Sequence, residues 1–428
     1  MTLLCGDDVL SSRTLQVAVL TAARIAKRCF PGAVRAVLPA ALATAPLRIW
    51  AREELLFVEA VAGILGTDAV SASGNLGGGS TIVFGRVAAP GNAVRATFDG
   101  WIAAAGPMGS TPQMQEREHC SLAGILSAAL AMSEVFMAFA GTTLQAGRRT
   151  VSLSLWRPDL SATDPGALGP VVAFLPREAW VLGLGHLGNA YLWALSTLPY
   201  PDPREVCFSL NDFDKVEGTN LETGVLFEPG DEGHLKTRIL DRWVRAHGFE
   251  TRLLERRFDE HFRRQRAEPQ LAFCGFDSNP ARRHLETAGF DRAIESGLGG
   301  KASNFDTINL HTFPSARTAL DLWPDLEPHE AEKEFARQEK MARENPGYGA
   351  LSKDECGRID LAGKSIAVPF VGVAASALVV AESLRLLHDG PAYEQVKLSL
   401  AAPDRRACNL AGEYSAQDAA GIPFVMAA

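Results

Sequence analysis

The sequence predicts an α/β chain made of two related lobes, and three observations carry that prediction. One is a strand, glycine turn and helix at residues 180–198, the second a helix and strand that occur twice, the third a charge-rich insertion at 314–363. Together they give a Rossmann-like active lobe, a sibling lobe and a helical interruption.

The glycine turn comes first because chemistry is expected there. Val181 and Leu182 close an apolar run, Gly183, Gly185 and Gly188 follow as G-x-G-x-x-G, and 189–198 continues with helical apolar spacing. Glycines let backbone N–H groups approach a phosphate, and a helix N-terminus adds a favourable field for its charge. A nucleotide is expected here. The motif alone reads the same way for NAD or FAD. The next strand, 205–210, leads into Asn211-Asp212-Phe213-Asp214, and Asp212 falls where a ribose-binding carboxylate belongs.

The repeat explains the first half. With Gly124 set over Gly372, LAGILSAALAMSEVF aligns with FVGVAASALVVAESL and Glu134 meets Glu382. Further on, VSLSLWRPD at 151–159 aligns with VKLSLAAPD at 396–404, with a change of three residues in the loop between. Two matches in the same order imply related lobes, 1–165 and 166–428, joined where Asp, Thr, Gly and Pro gather at 158–170. In the first lobe the glycine run 74–80 precedes the apolar strand 81–84 instead of following one, so a scaffold role is expected there and no nucleotide.

Composition narrows the function classes. A chain of 428 residues has room for two cores, and a net charge of −8 argues against non-specific nucleic-acid binding. Seven cysteines without any C-x-x-C leave no structural zinc expected, and their odd, irregular count suits a reducing cytosol, hence a cytoplasmic protein. The first ten residues lack a basic, apolar leader. Segments 122–140 and 366–381 approach membrane length, but they contain or abut Glu134 and Glu382, so buried core helices are expected and no membrane.

Beyond Asp212 the pattern runs Asp212-x-Asp214-x-Val216, Asn220-Leu221, then Lys236, and a third block reads Leu271-Ala-Phe-Cys-Gly-Phe-Asp277-Ser-Asn279-Pro-Ala-Arg282. Here the sequence resembles the ThiF/MoeB/ubiquitin-activating enzyme superfamily, whose adenylation site carries D-x-D-x-V-x-x-x-N-L-x-R-Q with a lysine thirteen positions past that arginine. Lys236 keeps that spacing from position 223. The arginine itself is missing, because Thr223-Gly224 stands there.

The resemblance implies two ThiF-type adenylation lobes paired face to face as an intramolecular pseudodimer, with 314–363 as the crossover and cysteine insertion. It implies attack of a ubiquitin-like protein's C-terminal carboxylate on the α-phosphate of ATP. Gly183, Gly185 and Gly188 would cradle phosphate, Asp212 would hold ribose beside Asp214, Asn220 and Lys236 would stabilise the transferring phosphate, and Asp277 would hold Mg²⁺. In relatives an arginine near the start of one lobe reaches phosphates in the other, which makes Arg13 a candidate; a solvated surface arginine is the plain alternative. Cys356, in Lys353-Asp-Glu-Cys-Gly357, would take the acyl group as a thioester, or is an incidental loop thiol. Relatives work with separate conjugating enzymes, several in phage-defence operons. Three other readings stay open: adenylation of a sulfur-carrier protein or peptide without a thioester, an NAD-dependent oxidoreductase, and a non-catalytic scaffold for a ubiquitin-like partner.

Overall fold

The computed structural model of the chain describes residues 1–50, 55–73, 79–299, 304–324 and 367–428. Two mixed sheets enclose a layer of helices. The first sheet holds β1 (Thr2–Cys5), β2 (Arg35–Val37), β3 (Val70–Ser71), β4 (Thr81–Phe84), β5 (Val94–Asp99), β6 (Ile102–Pro107) and β7 (Val151–Ser154), in the order β3-β2-β1-β4-β5-β6-β7. After the short strand β8 (Phe174–Pro176), the second sheet holds β9 (Glu178–Leu182), β10 (Cys207–Asn211), β11 (Glu250–Leu254), β12 (Leu271–Cys274), β13 (Arg292–Leu298), β14 (Thr307–Phe313), β15 (Pro391–Ser399) and β16 (Ala407–Glu413). Its order is β11-β10-β9-β12-β13-β14-β15-β16, and β17 (Phe424–Met426) pairs with β8 apart from it.

Counted from its own first strand, each sheet follows the same order through seven strands. In both, the first five strands in sequence pair in parallel and later ones antiparallel. The second sheet goes one strand further, with β16 antiparallel on β15. Central parallel strands such as TIVF and LAFC are buried at every position, as strands covered on both faces must be.

The described helices are α1 (Arg13–Cys29), α2 (Phe57–Leu65), α3 (Leu122–Ala140), α4 (His186–Ser196), α5 (Gly218–Thr223), α6 (Lys236–Ala246), α7 (Asn279–Arg282), α8 (Ala319–Leu322) and α9 (Pro369–Leu387). α1 and α3 pack on the first sheet, α4 and α9 on the second, and the pairs meet between the sheets. There Phe136 near the end of α3 meets Phe370 at the start of α9, 5.3 Å between rings, so these helices run antiparallel. Trp193 of α4 donates its indole N–H to Thr21 of α1 at 2.9 Å. Surrounded on all sides, α3 and α9 are apolar all round, which accounts for two segments long and apolar enough to cross a membrane lying inside the molecule.

The repeated residues have matching work. Glu134 accepts the Gly147 N–H at 2.7 Å and pairs with Arg149 at 3.3 Å; Glu382 accepts the Tyr393 N–H and the Tyr414 hydroxyl and pairs with Arg385. Each carboxylate ties the end of its helix to the segment that follows. Burial without such partners would be costly. Gly124 and Gly372 admit close neighbours: a Cβ on Gly124 would lie 2.4 Å from the Thr14 carbonyl oxygen, and one on Gly372 would lie 2.2 Å from His186 Nε2.

Several boundaries differ from the sequence reading. The strand expected at 205–210 starts at Cys207, because Pro203–Glu205 forms a 3₁₀ turn capped by Asp202. Residues 293–309 contribute to two strands, β13 and β14. Of the insertion at 314–363, residues 325–363 lie outside the described residues, and Cys356 with them.

Candidate nucleotide site

The site is built where the second sheet changes direction. The chain leaves β9 for β10 and β11 on one side, then returns to β12 on the other, so the carboxyl ends of β9, β10 and β12 open at a switch point. Leu182, Asn211 and Cys274 are in register there, which puts Gly183, Asp212 and Gly275 at one rim.

The three motif glycines do different work. Gly183 has a φ of +74°, a conformation side chains rarely adopt, and its N–H donates to the Asn211 carbonyl at 2.9 Å. Gly188 is a packing residue, since a Cβ there would fall 2.0 Å from the Gly183 carbonyl oxygen. Gly185 is the one with free space: nothing lies within 4 Å of its Cβ position, and it begins α4 without a side-chain cap. The helix therefore presents uncapped N–H groups to an open rim, a fit for phosphate oxygens. Gly275 completes the approach, as its Cβ would meet the Gly188 nitrogen at 2.8 Å.

Asp212 is a brace. Its Oδ2 accepts the Leu184 N–H at 2.6 Å and its Oδ1 accepts the Asp214 N–H at 2.8 Å, so it joins the glycine turn to the following loop. Burial is the largest influence on this carboxyl and raises its pKa, with the Lys236 charge opposing.

Asp214 and Lys236 are brought together by loop closure. Lys236 donates its backbone N–H to the Asp214 carbonyl at 3.0 Å, Val216 donates to His234, and Lys215 bridges Leu235. The Lys236 ammonium then lies 3.4 Å from Asp214 Oδ2, with the lysine 10% and the aspartate 53% exposed at the side chain. Such a cation, sheltered but facing an open carboxylate, is suited to a third, anionic group. Asn220 rides on α5 within the closed loop, where its Oδ1 accepts the Glu217 N–H at 3.0 Å. Thr223, in place of the missing arginine, is spent on the Thr219 carbonyl at 3.1 Å.

Asp277 is exposed, just past the end of β12. Among the described residues no three His, Cys, Asp or Glu side chains gather into a metal nest. The donor set fits a magnesium ion held by one carboxylate and phosphate oxygens, the usual manner for that ion.

Arg13 requires a correction. It donates to the carbonyls of Leu198 at 2.7 Å and Thr197 at 3.3 Å, beyond the C-terminus of α4, while the glycine turn lies at the N-terminus. An eleven-residue helix, about 16 Å long, separates the two. Antiparallel pairing of α1 with α4 is the cause, and it presents the other end of α1 instead. There Arg24 donates to Val225 at 3.0 Å, Arg28 to Gly224 at 3.0 Å and to Phe227, and Lys27 pairs with Glu228 at 2.7 Å. Asn189 of α4 receives the Leu226 N–H at 2.6 Å, so the loop after α5 is clamped between the halves. Sequence reasoning missed Arg28; basic residues four apart on a mostly buried helix were the available signal.

The described cysteines are poor nucleophiles. Burial is the leading cause that raises the thiol pKa in all six, Cys29 and Cys120 to about 12 and Cys408 to about 11. Cys274 is buried, whereas Cys207 is only partly so.

Residues 1–155 match the family model described as the BilD N-terminal domain, and 175–390 match the BilD C-terminal domain. A protein of Collimonas sp. (strain OK412), described as "Bacterial E1-like protein BilD", is 36% identical over 94% of this chain and 85% of its own length. The chain belongs to the BilD family. Among solved structures, Escherichia coli MccB is similar to this member of the BilD family with a TM-score of 0.37 and 13% identity, over 76% of this chain and 94% of MccB. MccB with ATP gives 0.37 and 15% over 56% and 65%, and the E. coli dehydratase TcdA gives 0.32 and 13% over 50% and 86%. Scores of this size carry no functional weight.

Proposed function

We infer that this BilD-family protein is an ATP-dependent adenylating enzyme acting on the C-terminal carboxylate of a ubiquitin-like protein, as the E1-like description of its relative suggests. One observation carries the reading: the uncapped start of α4 at Gly185 opens on the same strand-end rim from which the sheltered Asp214–Lys236 pair follows.

A carboxylate is a poor acylating agent, and the proposed reaction turns one of its oxygens into part of a better leaving group, AMP. A carboxylate oxygen forms a bond to the α-phosphorus of ATP, the bond to pyrophosphate breaks, and acyl-adenylate results. Magnesium bound through Asp277 would supply charge neutralisation on the phosphates. The α4 N–H groups orient the phosphates, Lys236 is placed for the charge on the transferring group, and Asn220 stands ready in the closed loop. Asp212 keeps the turn in shape, with lone pairs left for a ribose hydroxyl. The arrangement is one of positioning and charge.

The finer reading is a fused pair of adenylation lobes, 1–165 inactive and 166–428 active; the common strand order supports it. A thioester would follow when a thiolate attacks the acyl carbon and AMP leaves. Cys356 is assigned that role from its sequence position, the six other cysteines being buried or partly buried. A separate conjugating enzyme, a cytoplasmic location and a part in phage defence extend the same proposal. ATP–pyrophosphate exchange tests it, using a ubiquitin-like protein with a free C-terminal carboxylate and the same protein amidated. Exchange that ignores the amidation, or no exchange with either, rejects the reading.

A further inference from the structure

The internal likeness of the two sheets exposes a difference between them. β15 carries β16 on its outer side, with Val396 opposite Cys408 and Lys397 opposite Ala407. The matching strand β7 is the last of its sheet, and no described strand covers it. Val151 and Ser152 stand where Val396 and Lys397 stand in the repeat. The Leu155 N–H donates to the Trp101 carbonyl at 2.9 Å, and the β6–β7 register sets Leu153 and Val151 in the same phase. Alternation then turns the backbone N–H and C=O of Ser152 away from β6.

What those groups face is a cleft of about 820 Å³ lined by Thr150, Val151 and Ser152 on one side and by Pro403, Asp404 and Arg406 of the β15–β16 turn on the other. It is basic: Arg148 and Arg149 also line it, against the single carboxylate of Asp404. Arg149 is engaged with Glu134 and the Ala401 carbonyl, but the exposed Arg148 side chain has no partner among the described residues. Leu144, 88% exposed, adds an apolar foothold at the rim. In a protein of net charge −8 this local excess of cations is selective for acidic company.

We propose that this cleft is a docking site for an extended acidic segment of a partner protein, which adds to β7 as an antiparallel strand in the place that β16 fills in the second sheet. The outward groups of Ser152 supply the main-chain hydrogen bonds, Arg148 selects acidic side chains on the incoming strand, and Leu144 takes an apolar one. The site stands apart from the nucleotide rim and does not depend on the adenylation reading.

Fluorescein-labelled Thr-Glu-Val-Glu-Thr-Glu-Val and its lysine counterpart, Thr-Lys-Val-Lys-Thr-Lys-Val, titrated against the full chain by anisotropy, test it. Saturable binding of the acidic peptide is expected, weakened about tenfold by Arg148→Glu and by a moderate rise in salt. Ser152→Pro removes the outward N–H together with the hydroxyl, a change that edge strands tolerate, and is expected to weaken binding about five- to tenfold with an unchanged melting temperature. Should that variant fail to fold, amide exchange at Ser152 in the unmodified chain decides instead, slowing when the acidic peptide is bound. Equal binding of the two peptides, no binding at millimolar concentration, or loss with Arg148→Glu alone while Ser152 stays unprotected overturns the proposal.

Discussion

His186 and Gly372 touch across two helices of the second half: a methyl group on Gly372 would come within 2.2 Å of the His186 Nε2. Neither ring nitrogen has a hydrogen-bonding partner in good geometry, and burial lowers the imidazole pKa to about 4, against a weak opposing pull from Pro369. A histidine buried neutral binds fewer protons when folded than when unfolded between pH 4 and its ordinary value near 6.5. Its contribution is therefore intact above pH 6.5 and declines as pH falls towards 4, by roughly 3 kcal/mol in all. Urea unfolding at pH 7, 5.5 and 4 should show this slope in the natural chain and a shallower one in His186→Asn. Gly372→Ala should cost about 1–3 kcal/mol at every pH, through overpacking.

The glycine turn gives opposite expectations for neighbouring positions. Gly185→Ala adds a methyl to open space, so stability should fall far less than for Gly188→Ala while ATP affinity drops about tenfold. Gly188→Ala drives a methyl into the Gly183 carbonyl and should prevent folding or lower the melting temperature steeply. Isothermal titration with ATP and a thermal melt separate the two. A Gly185→Ala chain that binds ATP normally would remove the phosphate from this rim.

Arg13 and Arg28 sit at opposite ends of one helix, and their substitutions should part accordingly. Arg13→Ala exposes unsatisfied carbonyls at Thr197 and Leu198 and should reduce stability by about 1–3 kcal/mol with KM for ATP unchanged. Arg28→Ala releases the loop at 224–227 and should raise KM for ATP as well as lowering stability. The contrast in KM is the decisive reading.

Lys236→Ala leaves the Asp214 side chain without its ammonium partner at the rim. Pyrophosphate exchange should fall by about 100-fold or more, a loss typical of a group that meets charge developing in the transition state. Asp214 is half exposed, so the melting temperature should move little. A variant exchanging at the natural rate would place the phosphate elsewhere.

Much of this was readable from the residues because local patterns and tertiary roles agree. The segment 122–140 is apolar on every side, and only a helix enclosed all round can use it. The spacing from Asp214 to Lys236 had a physical cause, as the intervening loop closes by backbone pairing of 214–216 with 233–236. Arg13 went wrong because antiparallel helix pairing is decided by sheets that meet only in three dimensions. The bracing role of Asp212 was equally hidden, since its partners are backbone N–H groups that every residue type offers. β16 escaped notice because its side chains are largely exposed and leave no apolar alternation.

The enclosed helical layer bears on how such a chain can be divided. α3 packs on α1 and on its own sheet, α9 packs on α4, and the two helices also cover one another across the boundary that the connecting segment 158–170 spans. A gene broken at that segment would yield two polypeptides, each baring a greasy helix built for the other's company. Fission in this lineage could persist only where both pieces are made together and assemble at once, as obligate heterodimers do.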